Sequence, residues 1–149
     1  MSESISYSAV VLDEISHQKL ILNFKDQIPD GWDVIAHHMT ITMGPLKSPT
    51  GKYDMSVKYP REQTFDLKVV QIGCDERAMA VKIELLPGYH TRNRYPHITL
   101  AVNREGGGKP WHSNQIDPDR FVDVAPLLLS GVVQEVPQKS SKAVDTKER

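Results

Sequence analysis

The sequence of 149 residues has little cysteine, no excess of charge of either sign and no long apolar run, and each absence excludes a class of protein. Cys74 is the single cysteine, so the chain can form neither an internal disulfide nor a cysteine-rich zinc site. The 18 Lys and Arg residues nearly balance the 19 Asp and Glu residues, which argues against non-specific coating of long nucleic acids. A small anionic substrate held by a few side chains is compatible with this balance.

No stretch approaches the roughly 20 apolar residues that a membrane-spanning helix requires. The first residues, MSESISYSAVVL, lack the basic segment and apolar run of a secretory signal peptide. We therefore expect a cytoplasmic protein with no membrane partner and no obligate protein partner. The length suits a single domain with a real core, which we place at residues 1–136, and the polar residues 137–149 are expected to be a disordered tail.

Short β-branched and apolar runs outnumber helical patterns. One helix is expected within residues 15–28, where leucine, isoleucine and phenylalanine recur at helical spacing after Ser16, a plausible N-cap. Turn-forming residues separate the other apolar runs, which predict strands. The expected strands are residues 7–13, a run ending at Met43, 64–75, 78–85, 95–102 and 126–136.

An unusual pattern of histidine and threonine occurs twice. The stretches HHMTITMG and YPHITLAV both contain histidine, any residue, threonine and an apolar residue, and His38 and His97 are 59 positions apart. Because side chains alternate across a strand, His38, Thr40 and Thr42 are expected to share one face, opposite an apolar face for the core. By the same alternation, His37 is expected to point away from His38.

In the second stretch, His97 and Thr99 share a face in the same way. Two histidines and two hydroxyls that face each other suit phosphodiester hydrolysis without a metal. Since histidine titrates near pH ~6.5, a neutral imidazole can take a proton from water while an imidazolium gives one to the leaving oxygen. The hydroxyls of Thr40 and Thr99 would bind the phosphate oxygens, where charge builds in the transition state. His38 and His97 are thus the predicted catalytic pair.

The tetrapeptides HMTI and HITL resemble the paired H-x-T/S-x motifs of the 2H phosphoesterase superfamily, which includes LigT-like RNA cyclic phosphodiesterases and phage nucleases that destroy cyclic oligonucleotide signals. The order of strands, helix and motifs is also similar to that family over about residues 7–136. The stretch GGGKPWHSNQI is similar to a Lys-Pro-x-x-Ser-Asn stretch of tRNA-ligase-type members. The resemblance implies an α+β, bilobal fold with two antiparallel-dominated sheets around a central cleft and helices outside, although no clear helix precedes the second motif.

The resemblance also implies an enzyme, a metal-independent phosphoric diester hydrolase without a cofactor. Its expected substrate is a small nucleotide or an RNA end, attacked at a cyclic phosphate, above all a 2′,3′-cyclic phosphate. One alternative is a nuclease for cyclic oligonucleotide signals. Another is a non-catalytic nucleotide-binding module of the same fold.

Several residues near the motifs have two interpretations each. Tyr7 opens the first strand, where its ring could contact the phosphate or a base, or pack at the edge of the core. Ser113 and Asn114 could close over the substrate or cap a turn. Arg92 and Arg94 could steer an anionic substrate and stack on a base, or belong to an ordinary solvated loop.

Two other binding chemistries have weaker support in the sequence. The histidines form no H-x-H or H-x-x-x-H pair and are not flanked by Asp and Glu in a ligand pattern, so no metal site is predicted. The run Gly106–Gly108 before Lys109 could cradle a phosphate with backbone N–H groups. No strand-to-helix context of the P-loop type surrounds these glycines, and a plain loop is the other interpretation.

Overall fold

A computed structural model of the protein describes residues 4–138. Over this range the architecture is mixed α/β, with seven strands and one α-helix. The elements are β1 (Ile5–Leu12), α1 (Glu14–Phe24), β2 (Asp33–Val34), β3 (His38–Met43), β4 (Thr64–Cys74), β5 (Ala78–Glu84), β6 (His97–Val102) and β7 (Phe121–Pro137). Residues 139–149 of the predicted tail lie outside the described residues, whereas Pro137 belongs to β7 and pairs with Ile5.

All of these strands belong to one hydrogen-bonded sheet that closes on itself. Neighbours follow the order β6, β3, β1, β7, β4 and β5, and β5 pairs again with β6, so six strands form a closed barrel with β2 as an additional partner of β6. Every pairing is antiparallel. The predicted class, with mainly antiparallel strands and few helices, is confirmed, but two separate sheets around a cleft are not.

The long strand β7 pairs with its two neighbours over different parts of its length. Its first part, from Phe121 to Val132, runs beside β4, and its last part, from Gly131, runs beside β1. Gly131 lies where the two pairings overlap, and a Cβ there would lie 2.6 Å from the Val11 carbonyl oxygen. Only glycine lets the two backbones approach this closely.

Helix α1 is separated from the end of β1 by one residue and covers part of the core. The predicted N-cap, Ser16, is wrong: the Asp13 carboxylate accepts the Ser16 N–H at 2.7 Å, as a capping residue does. The Ser16 hydroxyl instead accepts the Ser130 N–H of β7 at 2.7 Å. Leu20 and Phe24 are buried beneath the helix. In the part of the chain that the structure describes, no helix is both long and apolar enough to cross a membrane.

Candidate active site

The two histidine-threonine motifs lie on neighbouring strands. β3 and β6 are joined at one residue pair, Met39 with Ile98, and both of these side chains are completely buried. The residues on either side of each therefore face away from the core. In this register His38 lies across from Thr99, and diagonal neighbours such as His38 and His97 lie about 7–8 Å apart in a regular sheet.

A cavity of about 400 Å³ lies over this junction. The four predicted residues, His38, Thr40, His97 and Thr99, all line it. The rest of its wall is mainly apolar or amide-bearing, and consists of Tyr7, Ile35, Met43, Asn93, Pro110, Trp111 and Asn114. The fold thus brings together both predicted pairs and Tyr7 at one site.

The alternation of side chains along β3 breaks directly after the first motif. Ala9 pairs with Thr40 but Ser8 pairs with Thr42, so Ile41 is an extra residue, a β-bulge. As a result Thr42 is buried, only 1% exposed, while Met43 is 67% exposed and lines the cavity. The prediction that Thr42 shares the face of His38 is therefore wrong.

The second motif carries a bulge at the same relative position. Ala80 pairs with Thr99 but Met79 pairs with Ala101, which leaves Leu100 as the extra residue. Bulges bend a strand and re-aim its side chains, and they are frequent next to active sites. Both motif strands therefore have their irregularity one residue after the threonine.

The His97 ring is held by a hydrogen bond to the backbone directly before its own strand. Its Nδ1 lies 2.8 Å from the Tyr95 carbonyl oxygen, and since a carbonyl only accepts, Nδ1 carries the proton. Nε2 is then the nitrogen left for the cavity. The Tyr95 ring packs against the imidazole with centroids 4.7 Å apart. Burial lowers the pKa of His97, and the hydrogen bond to Tyr95 opposes that shift.

His38 has a matching environment. The Tyr7 ring stacks on its imidazole with centroids 4.8 Å apart, whereas the Tyr95 ring packs on His97 at a tilt of 43°. Burial, together with the positive charges that His37 and His97 can carry, lowers the pKa of His38 to about 4. With both pKa values lowered, both imidazoles are neutral at pH 7 in the protein alone.

His37 does not point away from His38, as strand alternation predicted. The two Nδ1 atoms lie 2.8 Å apart, within hydrogen-bond distance. The reason is that β3 begins only at His38, and the backbone before it turns at Ala36, which has a positive φ of 47°. Period-two alternation does not extend through such a turn.

Ser113 lies behind the cavity wall. Its side chain is completely buried, and its hydroxyl is 2.8 Å from the Thr99 hydroxyl. The Thr99 hydroxyl is also 3.2 Å from the Pro110 carbonyl oxygen. The Tyr95 hydroxyl donates to the Ser113 carbonyl, which holds the short turn Pro110–Gln115 against β6. Ser113 therefore reaches the cavity only through Thr99.

The glycine run does not form a phosphate cradle. The N–H groups of Gly106 and Gly108 donate to the Asn103 carbonyl at 3.1 and 2.7 Å, and that of Gly107 donates to the Arg104 carbonyl at 3.0 Å. All three donors are used inside the turn, so none is left for an anion. The loop interpretation is the one that the contacts support.

The two loop arginines lie beside the cavity rather than in its wall. The Arg92 guanidinium stacks over the Tyr53 ring at 4.2 Å from its centroid. Arg94 donates to the Asn114 carbonyl at 3.0 Å and so anchors a cavity residue. Both arginine side chains are exposed to solvent.

Sequence reasoning missed several wall residues, above all Trp111. It is 55% exposed although it lines the cavity. A tryptophan in a polar loop directly after the second motif was an available signal, because large exposed aromatics often mark binding sites. Ile35 and Asn93 gave no such signal, since nothing in their local sequence separates them from other loop residues.

Comparison with protein-family models finds no match to this chain, and comparison with curated proteins finds none either. Within residues 4–138, no three His, Cys, Asp or Glu side chains are grouped so that they could hold a metal ion. The chemistry of the cavity is therefore what indicates a function.

Proposed function

We propose that the protein is a metal-independent phosphodiesterase that hydrolyses a cyclic phosphate, with a 2′,3′-cyclic phosphate of an RNA end or nucleotide as its substrate. One observation carries the proposal. Two histidines and two threonines from distant parts of the chain line one cavity, with each histidine diagonal to the other across the Met39–Ile98 pair. Such groups can supply the proton transfers and the hydrogen-bond donors for in-line attack of water on phosphorus.

In the proposed reaction His38 is the general base and His97 the general acid. Water bonds to phosphorus as one P–O bond to the ribose breaks; His38 takes a proton from the water, and His97 gives one to the leaving ribose oxygen. The assignment follows from the two environments. The pKa of His38 is lowered to about 4, which keeps it neutral, whereas the Tyr95 carbonyl favours the imidazolium of His97.

Binding of the substrate promotes protonation of His97. A bound phosphodiester carries a negative charge, which raises the pKa of a nearby histidine. His97 therefore gains its proton when the anion enters the cavity. After each turnover the protons on the two histidines have exchanged, and exchange with solvent restores the starting state.

The two threonine hydroxyls bind the non-bridging oxygens of the phosphate. Ser113 can donate to the Thr99 oxygen, which frees the Thr99 proton to move from the Pro110 carbonyl, a long contact of 3.2 Å, to the phosphate. One donor of this kind contributes about 3–4 kcal/mol to transition-state stabilisation in a dry site.

The internal symmetry of the site supports a bilobal 2H-type fold. Each motif lies on a bulged strand, each histidine packs on a tyrosine, and the motif strands share a single residue pair. We propose that β1 with β3 and β5 with β6 belong to two related halves of the closed barrel. The phosphate would lie where these halves meet.

Trp111 supports a nucleotide as the ligand. Its ring is exposed on a mainly apolar wall beside the threonine hydroxyls, as a base-stacking platform needs to be. Stacking of one base on an aromatic ring contributes about 1–3 kcal/mol. A phosphate at the histidines and a base at Trp111 together describe a small nucleotide.

One observation favours a second candidate, a non-catalytic nucleotide-binding module. Both histidine pKa values are lowered, so at pH 7 neither His38 nor His97 is an imidazolium in the protein alone. A module of this kind would bind cyclic nucleotides and release them unchanged.

The test is to incubate the purified chain, in EDTA, with 2′,3′-cyclic nucleotides, RNA with cyclic phosphate ends and cyclic oligonucleotides, and to identify products by mass. Gain of one water by a 2′,3′-cyclic substrate supports the proposal, and cleavage of cyclic oligonucleotides alone would move the assignment to a signal-degrading nuclease. Binding without product indicates the module. Loss of activity in EDTA with rescue by zinc or manganese would contradict the metal-free mechanism.

A further inference from the structure

The contact between His37 and His38 has no part in the mechanism above. Their Nδ1 atoms lie 2.8 Å apart, and the rings meet edge to face with centroids 5.0 Å apart. A hydrogen bond between two nitrogens of this kind contains one proton, so one Nδ1 donates and the other accepts. The direction of that bond decides whether the neutral His38 ring carries its proton on Nδ1, toward His37, or on Nε2.

The exposure of the two rings sets the direction. His37 is exposed, so its Nε2–H can bond to water, and imidazole in water prefers that tautomer. Its Nδ1 then holds a lone pair and accepts from the Nδ1–H of His38. This leaves the Nε2 of His38 with a lone pair, as the Tyr95 carbonyl does for His97.

The backbone that carries His37 is fixed from both sides. The His37 carbonyl accepts the Leu12 N–H of β1 at 3.0 Å. On the other side, the His17 Nδ1 of α1 lies 2.7 Å from the Ala36 carbonyl, at the residue with positive φ. The turn that directs the His37 ring toward His38 is therefore held by contacts with two other elements.

We propose that His37 is a positioning residue that accepts the Nδ1 proton of His38 and keeps the Nε2 of His38 unprotonated in the cavity. The benefit to catalysis rests on the proposed function. When His38 takes a proton from water at Nε2, it becomes an imidazolium, and its bond to the neutral His37 becomes charge-assisted and stronger. His37 thus acts on the base, not on the substrate.

The test compares two substitutions of His37. Asn places an acceptor oxygen near the position of Nδ1, whereas Leu fills similar space without one. We expect H37L to lower kcat about 10-fold or more with KM nearly unchanged, and H37N to restore most of kcat, because a charge-assisted hydrogen bond is lost in one and kept in the other. H37A replaces H37L if the leucine variant does not fold. Equal losses in H37N and H37L would overturn the proposal.

A second measurement does not depend on activity. The ¹⁵N chemical shifts of the His38 ring report which nitrogen carries the proton. We expect Nδ1–H in the wild type and in H37N, and a mixture of tautomers in H37L. If the wild type hydrolyses nothing, the proposed function fails, yet this measurement still decides the role of His37: an unchanged tautomer in H37L overturns it, and a changed one supports it.

Discussion

At the scale of single residues, the site is built from two histidines that are each packed on a tyrosine ring and each bonded through Nδ1. Tyr7 and His38 repeat the arrangement of Tyr95 and His97. Burial against an aromatic ring lowers the pKa of a histidine because the charged form loses its hydration. The same packing that orients each imidazole therefore sets the pH range in which it can act.

Replacing either histidine by alanine should remove one proton-transfer partner. We expect H38A and H97A each to lower kcat by at least about 100-fold, because general acid-base catalysis contributes about that much or more. Steady-state kinetics on the active substrate measures this. H90A, at an exposed loop position outside the cavity wall, serves as the control and should keep full activity. Full activity in H38A together with loss in H37A would mean that His37 is the base.

The pH dependence of kcat/KM should be bell-shaped and acidic. It rises with pH as His38 loses its proton, at a pKa of about 4, and falls as His97 loses its proton, at a pKa below 6.5. The optimum for kcat should lie at higher pH, because the bound anion raises both pKa values. Profiles from initial rates between pH 3 and 9, on protein shown to stay folded at each pH, measure both. A flat kcat/KM profile from folded protein would remove the two histidines from the mechanism.

At the scale of elements, the two bulges decide which side chains reach the cavity. A regular strand would have placed Thr42 beside Thr40, but the extra residue Ile41 turns Thr42 into the core and Met43 into the cavity wall. A bulge depends on how the partner strand pairs, so the motif sequence by itself could not predict it.

Two threonines of β3 therefore make a matched pair of substitutions. We expect T40V to lower kcat about 10- to 100-fold, because valine keeps the shape and removes a hydrogen-bond donor to the phosphate. T42V should leave kcat unchanged, since Thr42 is buried away from the cavity. Measuring kcat for both variants tests which threonine of β3 faces the cavity. A larger loss in T42V than in T40V would mean that β3 has no bulge.

At the scale of the whole molecule, the buried histidines link stability to pH. The pKa values of His37, His38 and His97 are all lowered in the folded state. As pH falls below about 6.5, the unfolded chain therefore binds protons before the folded one does, and stability falls. Their contribution is fully present above the unfolded pKa of about 6.5 and is lost as pH decreases through the folded values.

We expect the free energy of unfolding to decrease by about 1.5 kcal/mol between pH 6.5 and pH 5 from His38 alone, because its pKa is about 4 in the folded state. Urea unfolding at a series of pH values measures the decrease. In H38L the decrease should be smaller by about that amount. The same decrease in H38L and in the wild type would show that His38 titrates normally.

Local sequence patterns were enough to predict several parts of this protein. They predicted the strands at residues 64–75 and 78–85 and, on each motif strand, a face shared by the histidine and the threonine. These follow from period-two alternation and from turn residues, which act over a few positions.

How those parts meet follows from long-range packing. The single pair between β3 and β6, the closure of the barrel through β7, the two bulges, the turn that brings His37 to His38 and the support of Thr99 by Ser113 all depend on contacts between distant segments. Local propensity contains no information about which partner a strand meets or in which register, because both are fixed by the packing of the whole core.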